Sequence, residues 1–121
     1  MKNEISIPIL NNEYKVIVCW GDSKQIVKTL NRWYYPKGVA NSTFTNDSMK
    51  NRRGVTYYHG SCHPVIALPR KPRTAAEIGT LAHEAVHAIE DIFDKVCQPI
   101  GGEIFAHSVG AVVRGVMGGI K

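Results

Sequence analysis

One long amphipathic helix in the second half of the chain constrains the fold more than any other feature of the sequence. It begins with a capping-box pattern, in which the hydroxyl of Thr74 and the carboxylate of Glu77 satisfy reciprocal backbone donors. Apolar residues then recur at helical spacing, at Ile78, Leu81, Ala82, Ala85, Val86, Ile89 and Phe93. This pattern predicts a central helix from about Ala75 to about Asp94, with one broad apolar face buried.

The rest of the chain predicts a small α+β domain around this helix. The first twenty residues read as a β-hairpin that turns at Asn11-Asn12, and Pro8 places its first strand at an edge. Further patterns predict a helix over 23–35, a surface loop over 38–54, strands at 55–58 and 65–68, and a last helix over about 103–117. The 121 residues fit one domain, 1–121, in which a twisted antiparallel or mixed sheet of three to four strands packs on about three helices.

Charge and apolar content argue against two classes of partner. The net charge is +5, but the basic residues are dispersed, and the two densest runs, at 50–53 and 70–73, flank turn-like segments. This distribution favours solvated loops over a nucleic-acid surface. No apolar run is long enough for a signal peptide or a membrane span, so we expect a cytoplasmic protein without a membrane partner. Three cysteines with no CxxC pair predict reduced, buried thiols.

The central helix carries the sequence His83-Glu84-Ala85-Val86-His87, an HExxH pattern. Histidines four residues apart lie one above the other on a helix, with about 5–6 Å between Cβ atoms, so both imidazoles can reach one ion. Zinc accepts imidazole nitrogens at about 2.0–2.1 Å. Glu84 lies beside this stripe, where it can act on a water molecule instead of binding the metal.

A catalytic zinc ion takes three protein ligands and keeps a fourth position open, so a third ligand is required. Glu90, Asp91 and Asp94 follow on the same helix, but three ligands from one straight helix cannot easily surround an ion. We favour Glu103, because a turn that contains Pro99 and two glycines would fold the last helix back toward the histidine pair.

A polar stripe on the last helix predicts a buried polar site. Glu103, His107 and Arg114 share one face of a helix that is otherwise apolar. His107 could orient a ligand, stabilise an oxyanion, replace Glu103 as the third ligand, or be a plain core histidine. We include it with Glu84 among the predicted catalytic residues.

His83, Glu84 and His87, followed on a second helix by Glu103, resemble the gluzincin branch of zinc metallopeptidases. The resemblance covers about Val65 to Arg114 and includes in particular very small single-domain members and metallopeptidase-like proteins common in bacteriophages and prophages. It implies a zincin-like fold, Zn²⁺ bound by His83, His87 and Glu103, and Glu84 as general base. It also implies that 65–68 is an edge strand along which a peptide or protein substrate could bind; the alternative is an ordinary core strand.

The leading hypothesis is therefore a zinc-dependent peptidase, in which Glu84 takes a proton from water and protonates the leaving amine. The alternative is a non-catalytic, zinc-stabilised protein-binding module of a phage or mobile element, which the small size of the chain favours. A metal-free hypothesis makes His83 and His87 core histidines. A structural metal at His59, Cys62 and His63, with Cys97 as fourth donor, is a further hypothesis. The oligomeric state is not indicated.

Overall fold

Four strands and three helices make up the part of the chain that the computed structural model describes, residues 3–10, 13–33, 53–57, 63–96 and 101–118. In chain order they are β1 (Glu4–Ile9), β2 (Tyr14–Trp20), α1 (Ser23–Trp33), β3 (Val55–Tyr57), β4 (Val65–Leu68), α2 (Ala75–Lys95) and α3 (Glu103–Gly118). The predicted α+β class is confirmed, as is a small mixed sheet with about three helices. Most of the predicted loop over 38–54 lies outside the described residues.

The sheet has the strand order β1-β2-β4-β3. β1 and β2 form the predicted antiparallel hairpin, in which Ile7 lies opposite Val16. β2 and β4 are parallel, and β4 and β3 are antiparallel, with Thr56 opposite Ile66. Within the described sheet, the outer strands are therefore β1, as Pro8 predicts, and β3.

The prediction of an edge strand at 65–68 is wrong. β4 lies between β2 and β3, and all of its residues are buried. An uninterrupted apolar run such as Val65-Ile66-Ala67-Leu68 suits a strand that is covered on both faces, because neither set of alternate side chains meets water. The short strand β3 takes the outer position on this side of the sheet.

Helices cover both faces of the sheet, and two buried clusters fill the space between the layers. The larger cluster joins β1, β2 and β4 to α2 and α3, and it contains Ile7, Val16, Val18, Ile66, Leu68, Leu81, Ala85, Ile89, Ile92, Phe93, Val112 and Val116. The smaller cluster joins the other face to α1, through Ile17, Cys19, Ile26, Leu30, Val65 and Ala67. In the described ranges, no helix is both long enough and apolar enough to span a membrane.

The capping box predicted at the start of α2 is confirmed. Thr74 Oγ1 accepts a hydrogen bond from the Glu77 backbone N–H at 3.1 Å, and Glu77 Oε1 accepts one from the Thr74 N–H at 3.0 Å. The Thr74 N–H, together with the Arg70 side chain and the Arg73 N–H, lowers the pKa of Glu77 to about 2. Glu77 therefore stays ionised at neutral pH, where its charge also suits the helix N-terminus.

Cys19 is buried on β2, as predicted for a reduced thiol. Burial raises its pKa to about 12, and the nearby Glu4 carboxylate adds to the rise, whereas a hydrogen bond with Thr29 opposes it. The thiol is therefore protonated and behaves as a small apolar side chain. Cys62 and Cys97 lie outside the described residues.

A carboxylate on β1 anchors α1 to the sheet. The Glu4 side chain, 14% exposed, accepts hydrogen bonds from Thr29 Oγ1 at 3.3 Å, from Trp33 Nε1 at 3.1 Å and from the Arg32 guanidinium. Thr29 is itself buried. Charge-assisted hydrogen bonds in such a position are stronger than those between neutral groups, so one residue of β1 fixes three residues of the helix.

We predict that Glu4→Ala destabilises the protein by about 2 kcal/mol, because the donors of Thr29 and Trp33 lose their acceptor in a partly buried place. Glu13→Ala is the matched control, since Glu13 is exposed at the end of the hairpin, and its effect should stay within about 0.5 kcal/mol. Urea unfolding measures both changes. Equal, small losses in the two variants would show that the Glu4 contacts do not anchor α1.

Candidate metal centre

His83 and His87 direct the same ring nitrogen toward each other on the surface of α2. Their Nε2 atoms lie 3.3 Å apart, and the ring centroids are 4.9 Å apart. Two nitrogen ligands at about 2.0–2.1 Å from one tetrahedral zinc ion are separated by about 3.4 Å. The pair is thus spaced to share one ion. Both side chains are exposed, so the hypothesis that they are core histidines is wrong.

The carboxylate of Glu90 lies beside His87 on the same helix. Glu90 Oε1 lies 3.5 Å from His87 Nδ1, the ring nitrogen that does not face His83. Ligating histidines commonly direct their second nitrogen to a carboxylate, which fixes the ring and leaves the other nitrogen for the metal. The next carboxylate, Asp91, is engaged with Lys95 Nζ at 2.8 Å. Glu90 is therefore placed to orient His87.

Glu84 lies at the boundary between the core and the surface. The residue is 9% exposed, and Thr56 Oγ1 lies 2.7 Å from its Oε1 and 3.0 Å from its backbone carbonyl oxygen. The single hydroxyl proton can be donated to either oxygen, so Thr56 ties the side chain of Glu84 to β3.

Sequence reasoning missed Thr56. A signal exists in the alternation of β3, because Tyr57 packs with the cluster under α1 and its neighbour must therefore face α2. This alternation identifies Thr56 only when the order of the strands in the sheet is known. In the sequence alone, nothing indicates which strand passes beside the HExxH helix.

Gly54 lets the chain approach α2 closely just before β3. A Cβ atom at this position would lie 2.9 Å from Thr80 Cγ2, 3.1 Å from Leu68 Cδ2 and 3.2 Å from Glu84 Cγ. These distances are shorter than ordinary van der Waals contact, so a larger residue would push the backbone away from the helix. The glycine holds Arg53 and Thr56 next to Glu84.

An open cavity of about 420 Å³ brings His83 and the Glu84 carboxylate to a common surface. Its lining contains His83 and Glu84 together with Arg53, Gly54, Ala76, Gly79 and Thr80. The volume is within the range of small-ligand sites in proteins. A buried carboxylate, one histidine of the pair and a cation therefore share one opening.

The prediction of a buried polar stripe on α3 is wrong. The side chains of Glu103 and His107 are 93% and 77% exposed, and Arg114 is exposed as well. α3 buries Val112 and Val116, which turns the polar face to solvent. The nearest approach of Glu103 to His107, between Oε2 and Nε2, is 3.8 Å.

Consequently the structure does not bring Glu103 or His107 to the histidine pair. Across the described ranges, no three His, Cys, Asp or Glu side chains lie close enough together to hold one metal ion. His83 and His87 supply two donors, and neither residue of α3 lines the cavity beside Glu84.

His63 has a structural environment. Its Nδ1 accepts a hydrogen bond from the Lys15 backbone N–H at 3.2 Å, and the rings of Tyr14 and Trp33 pack edge-on at centroid distances of 6.2 and 6.3 Å. Burial lowers the pKa of His63 below its ordinary value of 6.5, and the charges of Lys15 and Lys95 lower it further. The other members of the predicted second metal group, His59, Cys62 and Cys97, lie outside the described residues.

No protein-family model, no curated protein and no solved structure matches this chain.

The lowered pKa of His63 predicts a pH-dependent loss of stability. Because the unfolded chain binds the proton more readily, the stability from neutral His63 is present above about pH 6.5 and is lost as the pH falls below that value. His63→Asn retains a side-chain oxygen that can accept the Lys15 N–H but cannot be protonated. We expect the urea midpoint of the native protein to fall more between pH 7.5 and 5.5 than that of the variant.

Both proteins should be measured with a metal chelator, so that release of bound metal at low pH does not contribute to the change in stability. Parallel pH profiles for the native protein and His63→Asn would contradict this assignment.

Proposed function

We propose that this chain is a zinc-dependent hydrolase of peptide bonds, in which His83 and His87 hold the metal and Glu84 is the general base. The observation that carries the proposal is the 3.3 Å separation of the two Nε2 atoms on the helix that also presents a buried carboxylate. Two imidazoles with carboxylate and water oxygens as further donors suit zinc better than magnesium or calcium.

When bound, zinc supplies Lewis-acid polarisation of a carbonyl group and makes water more acidic. The rest of the reaction depends on side chains of this chain. Glu84 accepts a proton from the attacking water and donates it to the leaving amine, which needs a carboxylate held in one orientation. Thr56 provides that restraint through its hydroxyl, and Glu90 restrains the ring of His87.

The third protein ligand remains a prediction from the sequence. The turn before α3 and the gluzincin resemblance predict Glu103. Its exposed side chain, paired with His107, does not support the assignment. Metal content of a Glu103 variant separates a three-ligand site from a site with only the two histidines.

The exposure of the pair also favours a second candidate, a zinc-binding module without turnover. His87 has a side chain that is 47% exposed, so an ion held there could be bridged by a donor from another protein. The two candidates share the metal and differ in the role of Glu84. The module predicts that Glu84 has no effect on zinc-dependent binding, whereas the hydrolase requires it.

We predict about one zinc ion per chain in the purified native protein, and its loss in His83→Ala and in His87→Ala, because each variant removes half of the observed donor pair. His107→Ala is the matched control, since among the described residues this exposed histidine forms no metal-binding group with the pair, and it should keep the metal. Elemental analysis gives the content. Zinc retained in both α2 variants would exclude the pair as the metal site.

Glu103→Ala belongs in the same series. Loss of zinc in this variant would support Glu103 as the third ligand. Full retention would remove it from the ligand set and leave the histidine pair.

Glu84→Gln should retain zinc and reduce peptide hydrolysis by about 10²–10⁴-fold, the range that a general base contributes. Mass spectrometry of a digested unstructured protein detects the products. Hydrolysis by Glu84→Gln at the native rate would exclude Glu84 as the base. Zinc binding without hydrolysis by the native protein would support the binding module.

Thr56→Val should lower kcat by about tenfold with unchanged zinc content, because the carboxylate loses the hydroxyl that orients it. Thr56→Ser keeps the hydroxyl and should restore most of the rate. If Thr56 had only a structural role, both variants would lose stability and their kcat values would be equal. That result would contradict a role of Thr56 in positioning Glu84.

A further inference from the structure

We infer that a groove along the exposed side of α2 leads to Glu84 and that the guanidinium of Arg53 binds a carboxylate of the substrate within it. The inference deepens the proposed function and rests on it for the chemistry at Glu84. The binding of the carboxylate itself can be measured without turnover.

Two adjoining cavities form the groove. A second cavity of about 350 Å³ is lined by Leu68, Pro69, Arg70, Pro72, Thr74 and Glu77, and it shares Arg53, Ala76 and Thr80 with the cavity that contains His83 and Glu84. The shared residues place the two openings side by side along the first turns of α2. An extended ligand that fills both would pass directly over Arg53.

One cation that lines the groove has no ion-pair partner among the described residues. The Arg70 guanidinium pairs with Glu77, whose low pKa keeps it negative. Arg53 is exposed and has no ion-pair partner within the described residues. A guanidinium presents paired N–H donors that match a carboxylate, so an anionic group of this shape is the ligand that Arg53 suits best.

Gly79 lines the groove without a side chain that would fill it. It lies in the interior of α2, where glycine destabilises a helix relative to alanine. Unlike Gly54, it has no packing reason to be small, since an added Cβ would meet no atom within 4 Å. The open space belongs to the cavity that His83 and Glu84 line. A side chain at this position would enter the cavity that Arg53 and His83 line.

Apolar walls accompany the cation. Pro69 and Pro72, with Leu68 beneath them, line the second cavity, so the groove offers apolar surface next to a positive charge. A peptide that carries a carboxylate beside an apolar side chain fits this combination. The carboxylate could be the C-terminus of the peptide or an acidic side chain, which present the same group to Arg53.

The test uses zinc-loaded Glu84→Gln protein and four dye-labelled peptides of one alanine–leucine sequence. One pair differs only in a free or amidated C-terminus, and the other, with amidated ends, differs only in glutamate or glutamine at one internal position. Fluorescence anisotropy should show at least tenfold tighter binding of the carboxylate member of one pair. The pair that shows the preference identifies the source of the carboxylate.

Adding Arg53→Gln to this protein should bring the ratio of the two affinities within that pair close to one. Arg73→Gln is the matched control, because Arg73 is an exposed arginine just before α2 that lines neither cavity, and it should preserve the preference. Gly79→Leu should weaken binding of all four peptides by about tenfold, whereas Gly79→Ala should have a smaller effect. Equal affinities within both peptide pairs, or a preference that survives Arg53→Gln, would overturn the inference.

The outcomes separate this inference from the proposed function. Arg53-dependent binding in a protein that never hydrolyses peptides would retain the groove and reject the enzyme. Hydrolysis by the native protein without any dependence on Arg53 would retain the enzyme and reject the groove.

Discussion

The packing of α2 against the sheet determines where every residue of the candidate site lies, because the core and the site occupy adjoining stripes of the same helix. Leu81, Ala85 and Ala88 have no exposed surface and face the strands. The helical repeat then places His83 and His87 on the solvent side of α2. Glu84 lies at the boundary between this exposed stripe and the buried stripe. A rotation of α2 about its axis would therefore bury the histidines or remove the carboxylate from its opening.

Small residues at this contact allow a strand residue to reach Glu84 at the edge of the core. Ala85 and Ala88 allow close approach of α2 to the sheet, and Gly54 allows the chain before β3 to touch the helix. The approach is what brings the hydroxyl of Thr56 to 2.7 Å from the Glu84 carboxylate. A polar group of this kind is tolerated at the edge of the core because it has a hydrogen-bond partner on one side and an open cavity on the other.

Local sequence patterns predicted the elements well, because capping boxes, turns and apolar periodicity act over a few residues. The start of α2 at Ala75, the β1–β2 hairpin and the span of α3 follow from such patterns. The spacing of His83 and His87 likewise needs only helical geometry.

Predictions that depended on how distant segments meet were less successful. The strand at 65–68 could not be recognised as interior without knowing that β3 and β2 flank it. The sequence pattern places the polar face of α3 in the interior because Glu103 and His107 interrupt an apolar helix. The helix instead docks through the buried Val112 and Val116 and through partly buried apolar residues beside them, which leaves the polar face exposed. Thr56 was missed for the same reason, since its role depends on a strand that lies 28 residues from Glu84 in the chain.

X-ray absorption spectroscopy of the zinc-loaded protein tests the central claim most directly, because it counts the ligands of the metal by type. The account predicts two imidazole nitrogens at about 2.0–2.1 Å, with the remaining scattering from oxygen and none from sulfur. His87→Ala should remove at least one imidazole contribution or abolish binding. A zinc ion with sulfur neighbours at about 2.3 Å, or one without imidazole ligands, would contradict the assignment of the metal to His83 and His87.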